Sequence, residues 1–270
     1  MDDRFRIHRR FPSRFLSTRR DLAVWLPPCY RESTRRYPVF YLQDGQNLFD
    51  PGTAFAGQDW RAGITADELA ARGDIEPVIL VGVSNTGVHR ISEYTPTRDR
   101  RLRKGGKAAR YAQMLAREVK PFIDHEYRTR KGGGSAAVGG SSLGALASLV
   151  AALEYPRVFG GVAMVSPSVW WDGRAILGVL EEFRSKPRPR IWLDIGTAEG
   201  RNPHEIVEDA RLLRDTLFRL GWQCGADLRY HEFEGATHSE SAWGSRFGEV
   251  LAWLFPAPQP GGAGGSTKAD

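Results

Sequence analysis

Ser135-Ala136-Ala137-Val138-Gly139-Gly140-Ser141-Ser142-Leu143-Gly144-Ala145-Leu146 is the stretch that decides the fold. Its centre, Gly140-Ser141-Ser142-Leu143-Gly144, has the form Gly-x-Ser-x-Gly of a nucleophile elbow. The flanks agree with that reading. Ser135–Gly139 is a run of small and β-branched residues suited to a buried strand, and Ala145–Leu153 is rich in strong helix formers. A strand, a sharp turn between glycines and a helix lift one serine hydroxyl above the edge of a sheet. The elbow serine sits in strained backbone, and glycines beside it let strand and helix approach closely. Ser141 has no Gly two residues on, so Ser142 is the candidate nucleophile.

Outward from the elbow the chain alternates. Before it, Asp21–Leu26, Tyr37–Leu42 and the almost wholly apolar Val78–Val83 read as strands, with a helix over Thr65–Arg72 that Gly73 ends. Tyr111, Met114, Leu115, Val119, Phe122 and Ile123 recur at helical spacing. After the elbow come strands at Gly161–Val165, Arg190–Ile195 and Leu228–Phe233. A helix follows Asn202-Pro203, with Asn202 as cap and Glu205 completing a capping box, and a last helix spans Ala242–Phe255. Mixed strands first and strand–helix units later predict an α/β fold of the α/β-hydrolase kind. That fold is a mostly parallel sheet with antiparallel N-terminal strands and helices on both faces. The expected organisation is one domain over residues 1–255 and a disordered Pro/Gly-rich tail over 256–270.

Composition narrows the function. The 270 residues are 41% hydrophobic and 26% charged, the balance of a globular protein, and no apolar run approaches a membrane span. Met1-Asp2-Asp3-Arg4-Phe5-Arg6 lacks the apolar core of a signal peptide, which predicts a cytoplasmic protein. Cys29 and Cys224, far apart in the chain, are expected to be buried free thiols. The net charge of +6 is concentrated in residues 1–36, with ten arginines against four acids, and in Arg98–Arg110, with seven basic residues against Asp99. Neither segment interleaves aromatics or carries a nucleic-acid-binding signature, so both read as solvated faces with no nucleic-acid partner. There is no metal-ligand cluster, Walker loop or dinucleotide fingerprint, and no cofactor is expected.

A serine hydroxyl needs a base, and the base needs a group to orient it. In this fold the chain order is nucleophile, acid, histidine. Three histidines follow Ser142. His204 falls in the first turn of a helix and His231 inside a strand. His238, in Gly235-Ala236-Thr237-His238, lies on the loop at the carboxyl end of the last strand, where sites form in open α/β sheets. His238 is therefore the candidate base. Two carboxylates are candidates for the acid, Asp194 within the strand Arg190–Ile195 and Glu199 in the loop beyond it; Glu199 is favoured by its position. The oxyanion needs two backbone donors, assigned to Leu143 after the nucleophile and to Gln46 in Gln43-Asp44-Gly45-Gln46-Asn47. An alternative reading of that loop is a tight turn needing Gly45 at positive φ.

Taken together, Tyr41–Asp50, Arg90 with Glu93-Tyr94-Thr95-Pro96, the elbow, Ser166-Pro167-Ser168-Val169-Trp170-Trp171 and Gly235–His238 with Trp243 make most of residues 20–255 resemble a family. It is the serine esterases that include the enterochelin-esterase-like and feruloyl-esterase-like α/β-hydrolases. The resemblance implies Ser142 as nucleophile, His238 as base, a Gly-Thr-x-acid segment pointing to Glu199, and cofactor-free hydrolysis of a small-molecule carboxylic ester. Where members of that family often carry His before Asp44-Gly45, this chain has Gln43. Trp60, Trp170 and Trp171 are candidates for pocket walls or for packing. Arg90 is read either as facing a substrate anion or as paired with Glu93, and residues 85–106 as a lid-like loop. The competing functions are an acyltransferase on the same residues and a non-catalytic hydrolase-fold binding protein.

Overall fold

The apolar runs become strands of one eight-stranded sheet in the computed structural model, which describes residues 4–258. Its strands are β1 (Phe5–Phe11), β2 (Arg20–Trp25), β3 (Val39–Gln43), β4 (Ile79–Val83), β7 (Ala136–Ser142), β8 (Gly161–Pro167), β9 (Arg190–Gly196) and β10 (Leu228–Phe233). The short pair β5 (Arg98–Asp99) and β6 (Lys104–Gly105) forms a separate antiparallel hairpin. Across the sheet the order is β1-β2-β4-β3-β7-β8-β9-β10. The strands from β4 to β10 run parallel, β2 is antiparallel to β4, and β1 is antiparallel to β2. This is the mostly parallel α/β-hydrolase sheet, with antiparallel N-terminal strands, expected from the order of elements.

The two-residue period of a strand divides its side chains between two cores. On β3, Val39 and Tyr41 join the cluster beneath α3 (Ala108–Met114), α5 (Leu143–Glu154) and α7 (Pro203–Arg219). Phe40 and Leu42 join the opposite cluster beneath α1 (Ala62–Arg72) and α8 (Glu240–Leu254). Both faces are thus covered, which is why the central strands are apolar at every position rather than at every second one. The remaining helices are α2 (Arg90–Tyr94), α4 (Lys120–Glu126), which continues α3 through a π-helical turn at Leu115–Val119, and α6 (Ala175–Glu181). Among the described residues no helix is long and apolar enough to cross a membrane.

The structure departs from the sequence reading where local pattern is weak. Phe-Arg-Ile-His-Arg-Arg-Phe forms β1 at the sheet edge although it has no clean alternation; its pairing with β2 is irregular between His8 and Phe11. Asn202 precedes α7 but makes no side-chain cap to the backbone; its amide instead donates to Glu205 Oε2 at 3.0 Å. Residues 85–106 are not one irregular lid, since they contain a 3₁₀ turn at Gly87–His89, α2 and the β5–β6 hairpin. The expected tail over 256–270 falls mostly outside the described residues. Pro256, however, bridges to Ile75, and the Glu76 N–H donates to the carbonyl of Phe255.

Candidate active site

Strand β7 delivers Ser142 to the carboxyl edge of the sheet at φ 57° and ψ −125°, and α5 starts at the next residue. Positive φ is costly for a residue with a Cβ, so neighbouring structure must hold it there. The glycines of the elbow permit this. A Cβ on Gly140 would lie 2.9 Å from the Gln43 side chain, and one on Gly144 would lie 3.0 Å from it. Gln43 is itself fixed: it donates to Ser148 Oγ on α5 at 3.2 Å and accepts from the Tyr111 hydroxyl. The residue that differs from the family's frequent His is thus a buried tie between β3, α3 and α5.

His238 and Glu199 lie in hydrogen-bond contact. His238 Nδ1 is 2.7 Å from Glu199 Oε2, and the imidazole stands edge-on to Trp243 at 4.8 Å. Glu199 is 1% exposed, while the His238 side chain is 38% exposed, so an anchored carboxylate orients an accessible ring. Burial alone would raise the Glu199 pKa. Hydrogen bonds from His238, from the Ser166 hydroxyl and from the Gly196 N–H outweigh it and hold the carboxyl below its usual value. Ser142 and His238 line one cleft of about 420 Å³. The Ser142 hydroxyl is 3.0 Å from Ser168 Oγ, and no hydrogen bond joins it to the imidazole in this arrangement. Looser contacts of this kind are common before substrate binds.

Asp194, the other carboxylate considered, is completely buried and occupied elsewhere. Its Oδ2 accepts from Trp192 Nε1 at 2.6 Å, and Oδ1 accepts from Arg246 Nε and from the Ser166 N–H. Burial nevertheless leaves its pKa raised, although Arg246 and Trp192 pull it down. His204 lies exposed on α7, and His231 stacks on Trp192 at 5.1 Å. Neither lines the cleft.

The two candidate amide donors come from the start of α5 and from the turn after β3. Leu143 is the first residue of α5, and the first amides of a helix have no partner within it. Gln46 lines the cleft from the 3₁₀ turn Gly45–Asn47, where its Oε1 accepts from the Asn85 N–H at 3.2 Å. It is Asp44 (φ 55°), not Gly45, that takes the left-handed conformation. Gly45 is required for a different reason: a Cβ there would lie 2.4 Å from the Gly82 carbonyl carbon on β4.

The partners of several cleft residues had no local signal in the sequence. Arg90 binds Asp44 through both ends of its fork, at 2.8 and 2.7 Å, and Asn85 donates to the same carboxylate at 2.7 Å. Glu93, the neighbour considered as Arg90's partner, instead pairs with buried Arg20. Glu240 opens α8 two residues after His238 and accepts from Asn47 Nδ2 at 2.7 Å and from Trp60 Nε1. Trp60 and Trp171 are buried outside the cleft wall, exposed Trp170 also lies off it, and Trp243 with the exposed Phe55 supplies the aromatic lining. Among the described residues no group of three or more His, Cys, Asp or Glu is placed to hold a metal ion.

Glu240 gives a pH-dependent expectation. Its carboxyl is pushed up to about 7, first by burial and then by the nearby Asp44 charge, against the opposing pull of Trp60, Arg90 and Asn47. The folded state therefore binds more protons than the unfolded state between the ordinary carboxyl range and about pH 7, so stability falls as pH rises through that window. Thermal melts of the wild type and Glu240→Gln from pH 5 to 8 should show the larger decline in the wild type. Parallel curves would remove Glu240 as the cause.

Comparison with known proteins extends this geometry. The family model "Putative esterase" matches residues 13–254. YjcH of Bacillus subtilis is 32% identical over 192 residues, 71% of this chain and 72% of that protein. The endo-1,4-beta-xylanase/feruloyl esterase of Xylanibacter ruminicola is 26% identical over 202 residues, 73% of this chain and 25% of that longer protein. The crystal structure of the enterobactin esterase FES from Shigella flexneri superposes with a TM-score of 0.73 at 20% identity, covering 94% of this chain and 60% of that one. That last likeness shows a shared fold. With a family match running from before β2 to the end of α8, the chain belongs to this esterase family and is a carboxylic ester hydrolase of the α/β-hydrolase fold.

Proposed function

We propose that the chain is a serine carboxylesterase working through an acyl-enzyme, with Ser142 as nucleophile, His238 as base and Glu199 as the orienting acid. The observation that carries this reading is the joint placement of an elbow serine and a carboxylate-bound imidazole on the wall of one cleft. In the first half-reaction Ser142 Oγ bonds to the ester carbonyl carbon while its proton passes to His238 Nε2. The tetrahedral oxyanion is held by the N–H groups of Leu143 and Gln46. The C–O bond to the alcohol then breaks, and the alkoxide leaves with the proton from His238. In the second half-reaction water repeats the sequence on the acyl group and regenerates Ser142. Glu199, ionised and bonded to Nδ1, keeps Nε2 free to accept and stabilises the imidazolium between the two transfers.

Replacing that charge tests the assignment of the acid. Glu199→Gln is expected to lower kcat on the order of 10²- to 10⁴-fold with little change in KM, because the amide can favour the wrong imidazole tautomer and carries no charge. Asp194→Asn should act chiefly on stability. A variant pair with those effects reversed would move the acid to Asp194.

The substrate is proposed to be a small ester, since a cleft of about 420 Å³ accommodates one acyl group and a compact alcohol. Reading residues 1–255 as one catalytic domain rests on the single sheet carrying every proposed residue. Cys29 and Cys224 are free, Cys29 half-buried and Cys224 exposed rather than both buried as expected, and two free thiols fit a reducing compartment and support the cytoplasm as the place of action. The two Arg-rich segments are read as solvated surface rather than a nucleic-acid site. The deciding assay is hydrolysis of a panel of short and long acyl esters, a feruloyl ester and a siderophore trilactone, with and without added alcohol. Acid product throughout supports the hydrolase; a shift to new ester with alcohol would make it an acyltransferase. No turnover by folded protein would leave a non-catalytic binding role.

A further inference from the structure

We propose that Ser166 is a positioning residue, its hydroxyl fixing the carboxylate plane of Glu199 against His238 because Arg246 and Trp243 leave its proton no other destination. A serine hydroxyl has one proton to give and two lone pairs. Here both lone pairs are taken: Trp243 Nε1 donates to Ser166 Oγ at 2.9 Å, and Arg246 Nη2 donates to it at 2.6 Å. The proton is thereby directed to Glu199 Oε1, 2.5 Å away. The Gly196 N–H adds a second donor to that oxygen at 2.8 Å, so the other oxygen, Oε2, remains for His238 Nδ1. Each carboxylate oxygen has its own assigned partner.

Asp194 has a part in this arrangement. Arg246 is 3% exposed and its Nη2 lies 2.9 Å from Asp194 Oδ1, against 3.7 Å from Glu199 Oε1. The cation is therefore neutralised chiefly by Asp194, and reaches Glu199 through the serine hydroxyl rather than by direct pairing. A direct Arg–Glu199 bond would compete with the imidazole for the carboxylate. Ser166 also has φ 45°, a costly conformation for a residue with a Cβ, and its N–H donates to Asp194 Oδ1 at 3.3 Å. One residue at the end of β8 thus contacts both carboxylates, Asp194 through its amide and Glu199 through its hydroxyl.

The inference rests on the triad reading, so its test needs a readout that does not depend on turnover. The charged groups facing Glu199 and His238 are Arg246, Asp194 and, on the cleft wall, Glu240, Asp44 and Arg90. Ser166→Ala removes the hydroxyl and leaves the Arg246–Asp194 pair in place. The Nδ1–H proton resonance of His238, followed by NMR with His238→Ala for assignment, should then move upfield, toward its position in Glu199→Gln, as the hydrogen bond to a carboxylate without fixed orientation weakens. Arg246→Lys, which cannot span Asp194 and Ser166 with a fork, should move it the same way by a smaller amount. In turnover, kcat of Ser166→Ala should fall about tenfold with KM within about twofold, the loss of one hydrogen bond to a charged group.

An unmoved or downfield-shifted His238 Nδ1–H resonance in folded Ser166→Ala overturns the inference, because a hydroxyl that only fills space gives the first and one that only weakens Glu199 as an acceptor gives the second. A wild type without esterase activity refutes the triad reading instead. The resonance then still decides whether Ser166 fixes Glu199.

Discussion

Ser142→Ala is expected to lower kcat on the order of 10⁴- to 10⁶-fold while leaving the melting temperature almost unchanged. The size follows from the role proposed for this oxygen: without it no acyl-enzyme forms, and what remains is the catalysis that binding and the oxyanion donors give to attack by water. The small change in stability follows from the structure. Alanine meets the same backbone strain at φ 57° that serine does, and the hydroxyl's hydrogen bond is to Ser168 alone. Ser141→Ala is the matched control, since Ser141 precedes Ser142 on β7 and does not line the cleft. Its turnover should stay within about tenfold of the wild type, a change of less than about 1.4 kcal/mol in the barrier. Comparable losses in both variants would mean that the elbow as a whole, rather than one oxygen, had been damaged.

The largest effect on stability is expected at Glu93. Its carboxylate is 4% exposed and binds Arg20, itself 0% exposed, at 3.1 and 3.2 Å, while Thr86 Oγ1 donates to it at 3.1 Å. Glu93→Ala leaves a guanidinium buried without its counter-charge. Breaking a buried pair in this way costs about 3–5 kcal/mol. Replacing both members, as in Arg20→Met with Glu93→Leu, should recover most of that loss, since the desolvation penalty disappears with the charge. Urea unfolding reads both results as a lower midpoint for the single variant and a restored one for the double, at similar slope. The consequence also reaches the cleft. Glu93 belongs to α2, which also carries Arg90 and Tyr94, and these hold Asp44 through a bidentate pair and through the Asp44 N–H. A weakened α2 should therefore loosen the turn that carries Gln46.

What the sequence made legible follows physical lines. The buried strands could be read because both faces of the sheet are covered, so each is a short continuous apolar run bounded by turn residues. The elbow could be read because its constraint is local: strained serine, small neighbours and a helix start all fall within a few residues. His238 could be placed because an open α/β sheet puts functional loops at one edge. The choice between Asp194 and Glu199 rested on loop position and on the family resemblance, for the cation that engages Asp194, Arg246, lies 52 positions away and reaches it only once α8 packs on the sheet. Arg90 and Asp44 are separated by 46 residues, and a neighbour at Glu93 offered a plausible local partner. Only the fold, by setting Arg20 of β2 beside α2, takes Glu93 away from it. Glu240 gave no signal for a related reason. Its partners Asn47 and Trp60 come from the loops after β3, and their amide and indole N–H groups converge on its carboxylate across the cleft.

The most direct test of Ser142 as the nucleophile is the intact mass of the protein after treatment with a fluorophosphonate. An activated serine beside a general base predicts a single adduct on the wild type, absent from Ser142→Ala and strongly reduced in His238→Ala. A folded wild type that takes no adduct, or an adduct that persists in Ser142→Ala, would contradict the assignment of Ser142 as the nucleophile of this esterase.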